Sequence, residues 1–141
     1  MLQPNMTDYD FLKLLIANMV IQDYHKFIAK EELEKKLYRY SKDLKYMPLF
    51  KNITGYEGID YNFIDLDRAF KKAYASGLLR EICDMNETRV AINITKKNAC
   101  QIYQQFQKEE QLAMSNLCAE ICDAMRKENF YAPEADIKKY N

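Results

Sequence analysis

Apolar side chains recur at helical spacing along much of the chain. Thr7 is a good helix N-cap, and the residues after it are apolar over more than half of a helix circumference, which predicts a central helix of about 17 residues. A second helix is predicted to begin after Lys26, because Leu33, Leu37 and Tyr40 fall on one helix face. The chain is therefore expected to start with two helices.

Residues 41–63 break the helical pattern. This segment holds one Pro and two of the three Gly residues of the chain, together with several Tyr and other apolar residues. We expect a connection with apolar anchors and a short helix near residues 46–53. A connection of this length in a compact domain is expected either to pack against the core or to serve the function.

The helical spacing returns after this connection. Asp65 or Asp67 is predicted to begin a third helix, and Gly77 is predicted to end it as the C′ residue. Four apolar residues at helical spacing are expected to form its buried face, and these are Leu66, Ala69, Phe70 and Ala73.

Beyond Gly77 the apolar pattern takes the period of a β-strand. Residues 80–83 (REIC) and 89–94 (RVAINI) are predicted strands, because residues such as Val90 and Ile92 alternate with their neighbours. The polar segment DMNET, Asp84 to Thr88, is predicted to be the turn between them. Together these residues predict a β-hairpin.

A long helical tract is predicted from Lys96 to about Glu128. Glu109 and Glu110 interrupt its apolar stripe, so the tract is either two helices or one bent helix. A continuous helix of this length would measure roughly 50 Å, and a second copy of the chain is one source of cover for its stripe. The expected homodimer interface consists of Ile102, Phe106, Ala113, Leu117, Ile121 and Met125. The polar tail, residues 129–141, is expected to fray.

Composition places the chain among globular proteins. Its 141 residues fit one domain, and scarce Gly and Pro, three of each, favour a mostly helical fold. Lys and Arg number 21, as do Asp and Glu, so the formal net charge is zero. Zero net charge argues against a strong general attraction to nucleic acid but leaves room for local basic patches.

The sequence gives little sign of catalytic or metal chemistry. Three Gly residues exclude a glycine-rich phosphate loop, and His25 is the one histidine, so we expect neither an enzyme nor a cofactor. Structural zinc sites use four ligands in paired short loops, whereas the cysteines are spread along the chain, so no metal site is expected. The four thiols, Cys83, Cys100, Cys118 and Cys122, are expected to be free.

The sequence also leads to an expectation about the cellular location of the protein. The first residues do not resemble a secretory signal, and no stretch approaches the roughly 18 apolar residues of a membrane span. We therefore expect a cytoplasmic protein that has no membrane partner.

Three segments resemble parts of a winged helix-turn-helix domain. They are IAKEELEKKL (Ile28–Leu37), LDRAFKKAYASGLL (Leu66–Leu79) and VAINITKKNACQI (Val90–Ile102), and the last resembles the join between wing and C-terminal helix in PadR-like regulators. The resemblance implies a mainly α fold with a small β-hairpin, formed by residues 1–128 as one winged-helix-like domain with a long C-terminal dimerisation helix. It also implies a DNA-binding transcriptional regulator whose partner is double-stranded DNA.

Candidate nucleic-acid contacts lie on two of the predicted helices. In the third helix, Arg68, Lys71 and Lys72 are expected to face outward, where they could meet phosphates. The second helix and the residues after it interleave basic residues with Tyr, a pattern that suits charge plus base stacking. Its candidate residues are Lys35, Lys36 and Arg39.

A second function class stays open. The hairpin tip carries Asp84 and Glu87, which match phosphate poorly, and Tyr residues are favoured at protein interfaces. The same scaffold would then be a protein-interaction module, a small adaptor or inhibitor of phage or mobile-element type that does not bind DNA. Its contact surface would be the insert 41–63 and the hairpin.

Overall fold

Helices form most of the part of the chain that the computed structural model describes, which is residues 6–25, 27–53, 56–57, 62–84 and 87–128. The predicted mainly helical fold with a small antiparallel sheet and a long C-terminal helix is confirmed. In chain order the elements are α1 (Asp8–Ile21), β1 (Ile28–Ala29), α2 (Lys30–Ser41), a 3₁₀ turn (Met47–Phe50), β2 (Tyr56–Glu57), β3 (Asn62–Phe63), α3 (Ile64–Ser76), β4 (Leu79–Asp84), β5 (Glu87–Ile92), α4 (Lys96–Tyr103) and α5 (Lys108–Glu128).

Helix α1 is the centre of the fold. Its N-terminus has a capping box, in which the Thr7 hydroxyl accepts from the Asp10 amide at 3.0 Å and the Asp10 carboxylate accepts from the Thr7 amide at 3.0 Å. The helix packs against α3, α4 and α5. It is shorter than predicted because Asp23 takes a left-handed conformation with φ of 60°. The chain then folds back, and Tyr24 is buried.

The sheet is a hairpin with one added strand. β4 and β5 pair antiparallel from Leu79 opposite Ile92 to Asp84 opposite Glu87. The predicted turn of five residues was therefore too long, and the two residues left between the strands lie outside the described part of the chain. Strand β1 pairs with β5 and completes the order β1-β5-β4. Sequence periodicity missed β1 because two residues are too few to show an alternation.

The hairpin packs on the core at its base and projects beyond it. Leu79 and Val90 are buried, whereas Glu81 and Cys83, which share a strand face with Leu79, are exposed. Arg80 on the opposite face of β4 is exposed as well. Much of the surface of β4 is therefore open to solvent.

Helix α3 has the buried face that its sequence predicts, since Leu66, Ala69, Phe70 and Ala73 are at most 1% exposed. It ends in a Schellman motif, in which the Leu78 amide donates to the Ala73 carbonyl at 3.0 Å and the Gly77 amide donates to the Tyr74 carbonyl at 3.3 Å. Gly77 has a φ of +84°, a conformation that glycine adopts without strain. The side chain of Leu78 then enters the core, so the connection between α3 and β4 is just two residues long.

The C-terminal tract is two helices, α4 and α5. Gln107 precedes α5, and its amide donates to the buried Glu110 carboxylate at 3.0 Å, half of a capping box. The Gln111 side chain donates to the carbonyls of Tyr103 and Phe106 at 2.8 and 3.1 Å. These contacts satisfy backbone groups at the break and fix the turn between the helices.

The apolar stripe of α5 is covered by the chain itself. Of the six residues predicted to form a dimer interface, Leu117, Ile121 and Met125 are completely buried. Ile102, Phe106 and Ala113 are partly buried and pack against the same core. The break after α4 lets α5 fold back on α1, so this stripe is covered without a second copy, and the homodimer stays a prediction. Among the helices of the described ranges, none is both long and apolar enough to cross a lipid bilayer.

Replacing Leu117 with Ala is expected to lower the free energy of unfolding by about 2–5 kcal/mol, because it removes a fully buried side chain. Urea unfolding measures this loss, and light scattering is expected to give an unchanged molar mass. Leu112 lies on the same helix and is 64% exposed, so Leu112→Ala is the control, with a change within about 0.5 kcal/mol. A Leu117→Ala protein that keeps its stability but loses mass would place this residue at an interface between copies.

Candidate nucleic-acid interface

Arg68 lies on the outward face of α3, as its sequence position predicts, but carboxylates already hold it. Its Nε donates to Oδ2 of the buried Asp8 at 3.0 Å, and its Nη2 donates to Oδ1 of Asp65 at 2.6 Å. The hydrogen bond and charge of Asp8, with those of Asp65, raise the pKa of Arg68 above its ordinary value. The guanidinium therefore ties α3 to the start of α1, and a phosphate would have to compete with two carboxylates for it.

Lys71 and Lys72 are the two exposed lysines of α3. They follow one another on the outward side of the helix, three and four residues after Arg68. Within the ranges that the structure describes, neither lysine forms an ion pair. The nearby Asp67 is directed elsewhere, because it accepts from Lys30 at 2.9 Å. Among the exposed cations of α3 in the described ranges, these two ammonium groups are therefore the ones without an ion pair.

The three candidate residues of α2 do not share one surface. Lys35 and Arg39 are exposed, but Lys36 is buried and its ammonium pairs with Glu128 at the end of α5 and with Glu32 at 3.8 Å. The expectation that Lys36 contacts nucleic acid is wrong in this conformation, because α2 packs that side against α5. The helical pattern of α2 gave no sign of this contact, since Lys36 and Glu128 are far apart in the sequence.

The outer side of α2 borders an open depression of about 470 Å³. The described residues that line it are Lys35, Tyr38, Arg39 and Lys42. The Lys42 ammonium lies over the Tyr38 ring, 5.1 Å from its centroid. The depression thus combines three cationic side chains with an aromatic ring. Tyr38 and Lys42 belong to the stretch of alternating basic and Tyr residues that the sequence shows in and after the second helix.

The hairpin tip is acidic by sequence. Asp84 and Glu87 are register partners at the last described pair of the β4–β5 ladder. A wing that enters a DNA minor groove is expected to carry Lys or Arg at this place. The sequence of the hairpin tip therefore does not carry the charge of a wing that contacts phosphates.

The insert between α2 and α3 is anchored through its apolar residues. Tyr46, Leu49, Phe50 and Ile53 are buried, and the predicted short helix appears as the 3₁₀ turn. The Tyr46 hydroxyl donates to Glu120 of α5. By contrast, the side chains of Leu44 and Met47 are 83% and 47% exposed. The insert thus packs on the core and still presents two apolar side chains to solvent.

The thiols on α5 form a buried pair. Cys118 and Cys122 are fully buried, and their sulfur atoms lie 3.7 Å apart. The hydrogen bond between them and their burial raise the pKa of the Cys118 thiol well above its ordinary value, so this thiol is protonated and unreactive. In the described ranges no group of three or more His, Cys, Asp or Glu side chains is placed to hold a metal ion.

A partly buried polar cluster joins α2 and α3. Lys30 bridges Glu34 at 3.2 Å and Asp67 at 2.9 Å, and its ammonium lies 5.0 Å from the centroid of the Phe70 ring. Among the described atoms, one oxygen of the Glu34 carboxylate and the Tyr74 hydroxyl are buried without a hydrogen-bond partner. Burial raises the pKa of Glu34 to about 7, against the opposing effect of the Lys30 charge.

The pKa of Glu34 predicts a pH-dependent stability. The folded pKa of about 7 lies above the ordinary value of 4.5, so between these two pH values the folded state binds more protons than the unfolded state. The free energy of unfolding therefore falls as the pH rises from about 4.5 to about 7. Glu34→Gln is expected to be more stable than the natural protein by roughly 1–3 kcal/mol at about pH 8 and nearly equal to it at about pH 5.

Urea unfolding at the two pH values measures this difference. The control is Glu31→Gln, which alters an exposed carboxylate of the same helix. An equal stability difference between Glu34→Gln and the natural protein at both pH values would contradict a raised pKa.

The larger elements follow the order that the sequence predicted. Helices α1, α2 and α3 are followed by the β4–β5 hairpin and then by α4 and α5. Strand β1, which lies between α1 and α2, joins the hairpin in one sheet. Compared with protein-family models, with curated proteins and with solved structures, the chain gives no match.

Proposed function

We propose that the protein is a DNA-binding transcriptional regulator of winged-helix type, with the outward face of α3 as its duplex contact. The observation that carries this proposal is the pair of exposed lysines on that face, Lys71 and Lys72, which have no ion-pair partner in the described ranges. A projecting hairpin follows α3 directly, as the proposed family requires. Cationic side chains on an exposed helix are typical contacts for the DNA backbone.

The charge distribution limits how this contact would work. Because the chain has no net charge, attraction to DNA must come from a local patch rather than from the whole surface. Two lysines that neutralise two phosphates give a salt slope of about −1.8 on logarithmic axes, a weak dependence for a DNA-binding protein. Arg68 would add a third contact only if a phosphate displaced Asp8 and Asp65 from it.

The double variant Lys71→Gln/Lys72→Gln tests the proposal. On a random-sequence duplex of about 20 base pairs, followed by fluorescence anisotropy from about 25 to 150 mM salt, the variant is expected to bind more weakly at low salt. The slope of its logarithmic binding constant against logarithmic salt concentration is also expected to be shallower by about 2, since each phosphate contact contributes about 1.

The control for this experiment carries the same change in net charge at another place. Lys51→Gln/Lys97→Gln alters two exposed lysines outside α3 and is expected to bind the duplex as the natural protein does. If the natural protein fails to bind at about 50 mM salt, or if both double variants lose the same affinity, the α3 contact is refuted.

A second candidate function is protein interaction through the insert 41–63. The specific observation in its favour is the exposure of Leu44 and Met47 in a segment that the core holds in place. Exposed apolar side chains on an anchored segment are characteristic of protein contact surfaces. Tyr40, Glu120 and Ala124 line a smaller depression on the adjoining surface of α2 and α5.

Leu44→Ser/Met47→Ser tests this alternative. Both side chains are exposed, so the free energy of unfolding is expected to change by no more than about 0.5 kcal/mol per site. In quantitative affinity purification, a partner retained by the natural protein is expected to fall at least about tenfold with the double variant, as a hot-spot loss would give. Leu112→Ser, which alters an exposed leucine on α5, is expected to retain the partner. Equal recovery with all three proteins would rule out a contact through Leu44 and Met47.

A further inference from the structure

Strand β4 is an edge of the sheet. In the order β1-β5-β4 it has a strand on one side, and in the described ranges no strand pairs with its other side. The distal part of the strand is uncovered, because Arg80, Glu81 and Cys83 are all exposed. An edge of this kind presents backbone N–H and C=O groups to any second strand that approaches.

The backbone groups on this edge belong to alternate residues of β4. The Asn93 amide donates to the Leu78 carbonyl at 3.0 Å, which continues the β4–β5 register by one hydrogen-bonded pair. Residues of β4 with even numbers therefore bond to β5, and residues with odd numbers direct their N–H and C=O groups away from it. Glu81 and Cys83 thus offer their backbone groups at the outer edge.

Few registers let a second copy of β4 pair with this edge. Two identical antiparallel strands meet about a two-fold axis, and outward groups meet only if a residue of β4 lies on that axis opposite its own copy. An axis at Arg80, Glu81 or Asp84 sets like charges directly opposite each other, which destabilises a pair of strands. An axis at Leu79 or Cys83 leaves Glu81 without a partner inside the strand.

An axis at Ile82 is compatible with both the hydrogen bonds and the charges. It makes a hydrogen-bonded pair of Glu81 and Cys83 of the second copy, and the two-fold axis makes the same pair again. It sets Ile82 opposite its own copy, and it sets Arg80 opposite Asp84 of the second copy. Opposite charges at directly opposed positions stabilise an antiparallel pair, and the axis produces this ion pair twice.

Charged residues at a sheet edge also serve as protection against pairing. That protection works where charges of one sign repel a second strand, as a row of Lys does. Strand β4 has opposite signs on the two sides of Ile82, with Arg80 before it and Asp84 after it. The charges of this edge are therefore complementary to a two-fold copy of the same edge.

We propose that the protein forms a symmetric dimer through β4, in which the two three-stranded sheets join into one across a two-fold axis at Ile82. This interface is separate from the apolar stripe of α5, which is covered within the chain. It does not depend on DNA binding by α3. Because each copy contributes one short strand, we expect a reversible dimer with a micromolar dissociation constant.

Cross-linking at single positions tests the axis. The background is Cys83→Ser/Cys100→Ser, which removes both exposed thiols and keeps the buried pair on α5. In this background, Ile82→Cys sets two thiols opposite each other with about 4.5 Å between Cα atoms, a separation that a disulfide can span. With glutathione disulfide as the oxidant, Ile82→Cys is expected to form a covalent dimer at least about tenfold faster than Glu81→Cys.

The same experiment can overturn the proposal. No covalent dimer from Ile82→Cys would exclude an axis at this residue. A rate for Glu81→Cys that equals or exceeds the rate for Ile82→Cys would exclude it as well. Circular dichroism of the reduced proteins verifies that both variants are folded.

Exchange of charges tests the pairing without a cross-link. Sedimentation velocity of the full chain from about 1 to about 200 µM, at about 50 mM salt, is expected to show a monomer–dimer equilibrium. Arg80→Asp sets carboxylates opposite each other and is expected to raise the dissociation constant at least about tenfold. Arg80→Asp/Asp84→Arg restores opposite charges and is expected to restore the dimer.

The control for the charge exchange is Lys97→Asp, which makes the same change in net charge at an exposed residue of α4. It is expected to dimerise as the natural protein does. The proposal is overturned if the natural protein stays monomeric over the whole concentration range, or if Arg80→Asp and Lys97→Asp have the same dissociation constant. A double variant that dimerises no better than Arg80→Asp would also overturn it.

Discussion

Helix α1 has to be enclosed on every side, and the positions of the other helices follow from this. Between Phe11 and Val20 only Lys13 keeps appreciable exposure, so α3, α4 and α5 must all pack around the same helix. The buried Asn18 is accommodated because its side chain donates to the Leu14 carbonyl and accepts from Ser115. Enclosure of α1 uses up the apolar stripe of α5 and leaves α3 with one free face. The surfaces available for binding are therefore those faces of the other helices that do not pack against α1.

Charge pairing decides which cations remain at the surface. The chain balances its charges not by spreading them evenly but by pairing particular side chains across elements, such as Arg68 with Asp8 and Lys36 with Glu128. Each such pair removes a candidate phosphate contact while it joins two helices. Two groups of cations that remain exposed are the lysine pair on α3 and the cationic strip on α2. In a protein without net charge, such small basic surfaces suit short, local contacts with an anion better than a long electrostatic footprint.

Local features of the structure could be predicted from sequence, whereas contacts between distant segments could not. The buried face of α3, its end at Gly77 and the β4–β5 hairpin follow from periodicity and turn chemistry, which act over a few residues. The pairing of Arg68 with Asp8 spans 60 positions, and no sequence pattern near either residue predicts it. For the same reason the sequence placed Lys36 at the surface. The exposed lysines of α3 were predictable because an amphipathic helix fixes its outward side by its own period.

The enclosure of α1 also has a consequence for synthesis of the chain. Its contacts with α5 join residues that are far apart in sequence, as the approach of the Cys118 sulfur to the Leu15 carbonyl across 103 positions illustrates. A ribosome that adds about 5–20 residues per second needs roughly 5–20 s to make that interval. During this time the most apolar helix of the protein has emerged without the helix that covers one of its sides. Until α5 is made, α1 therefore lacks part of the cover that it has in the folded protein.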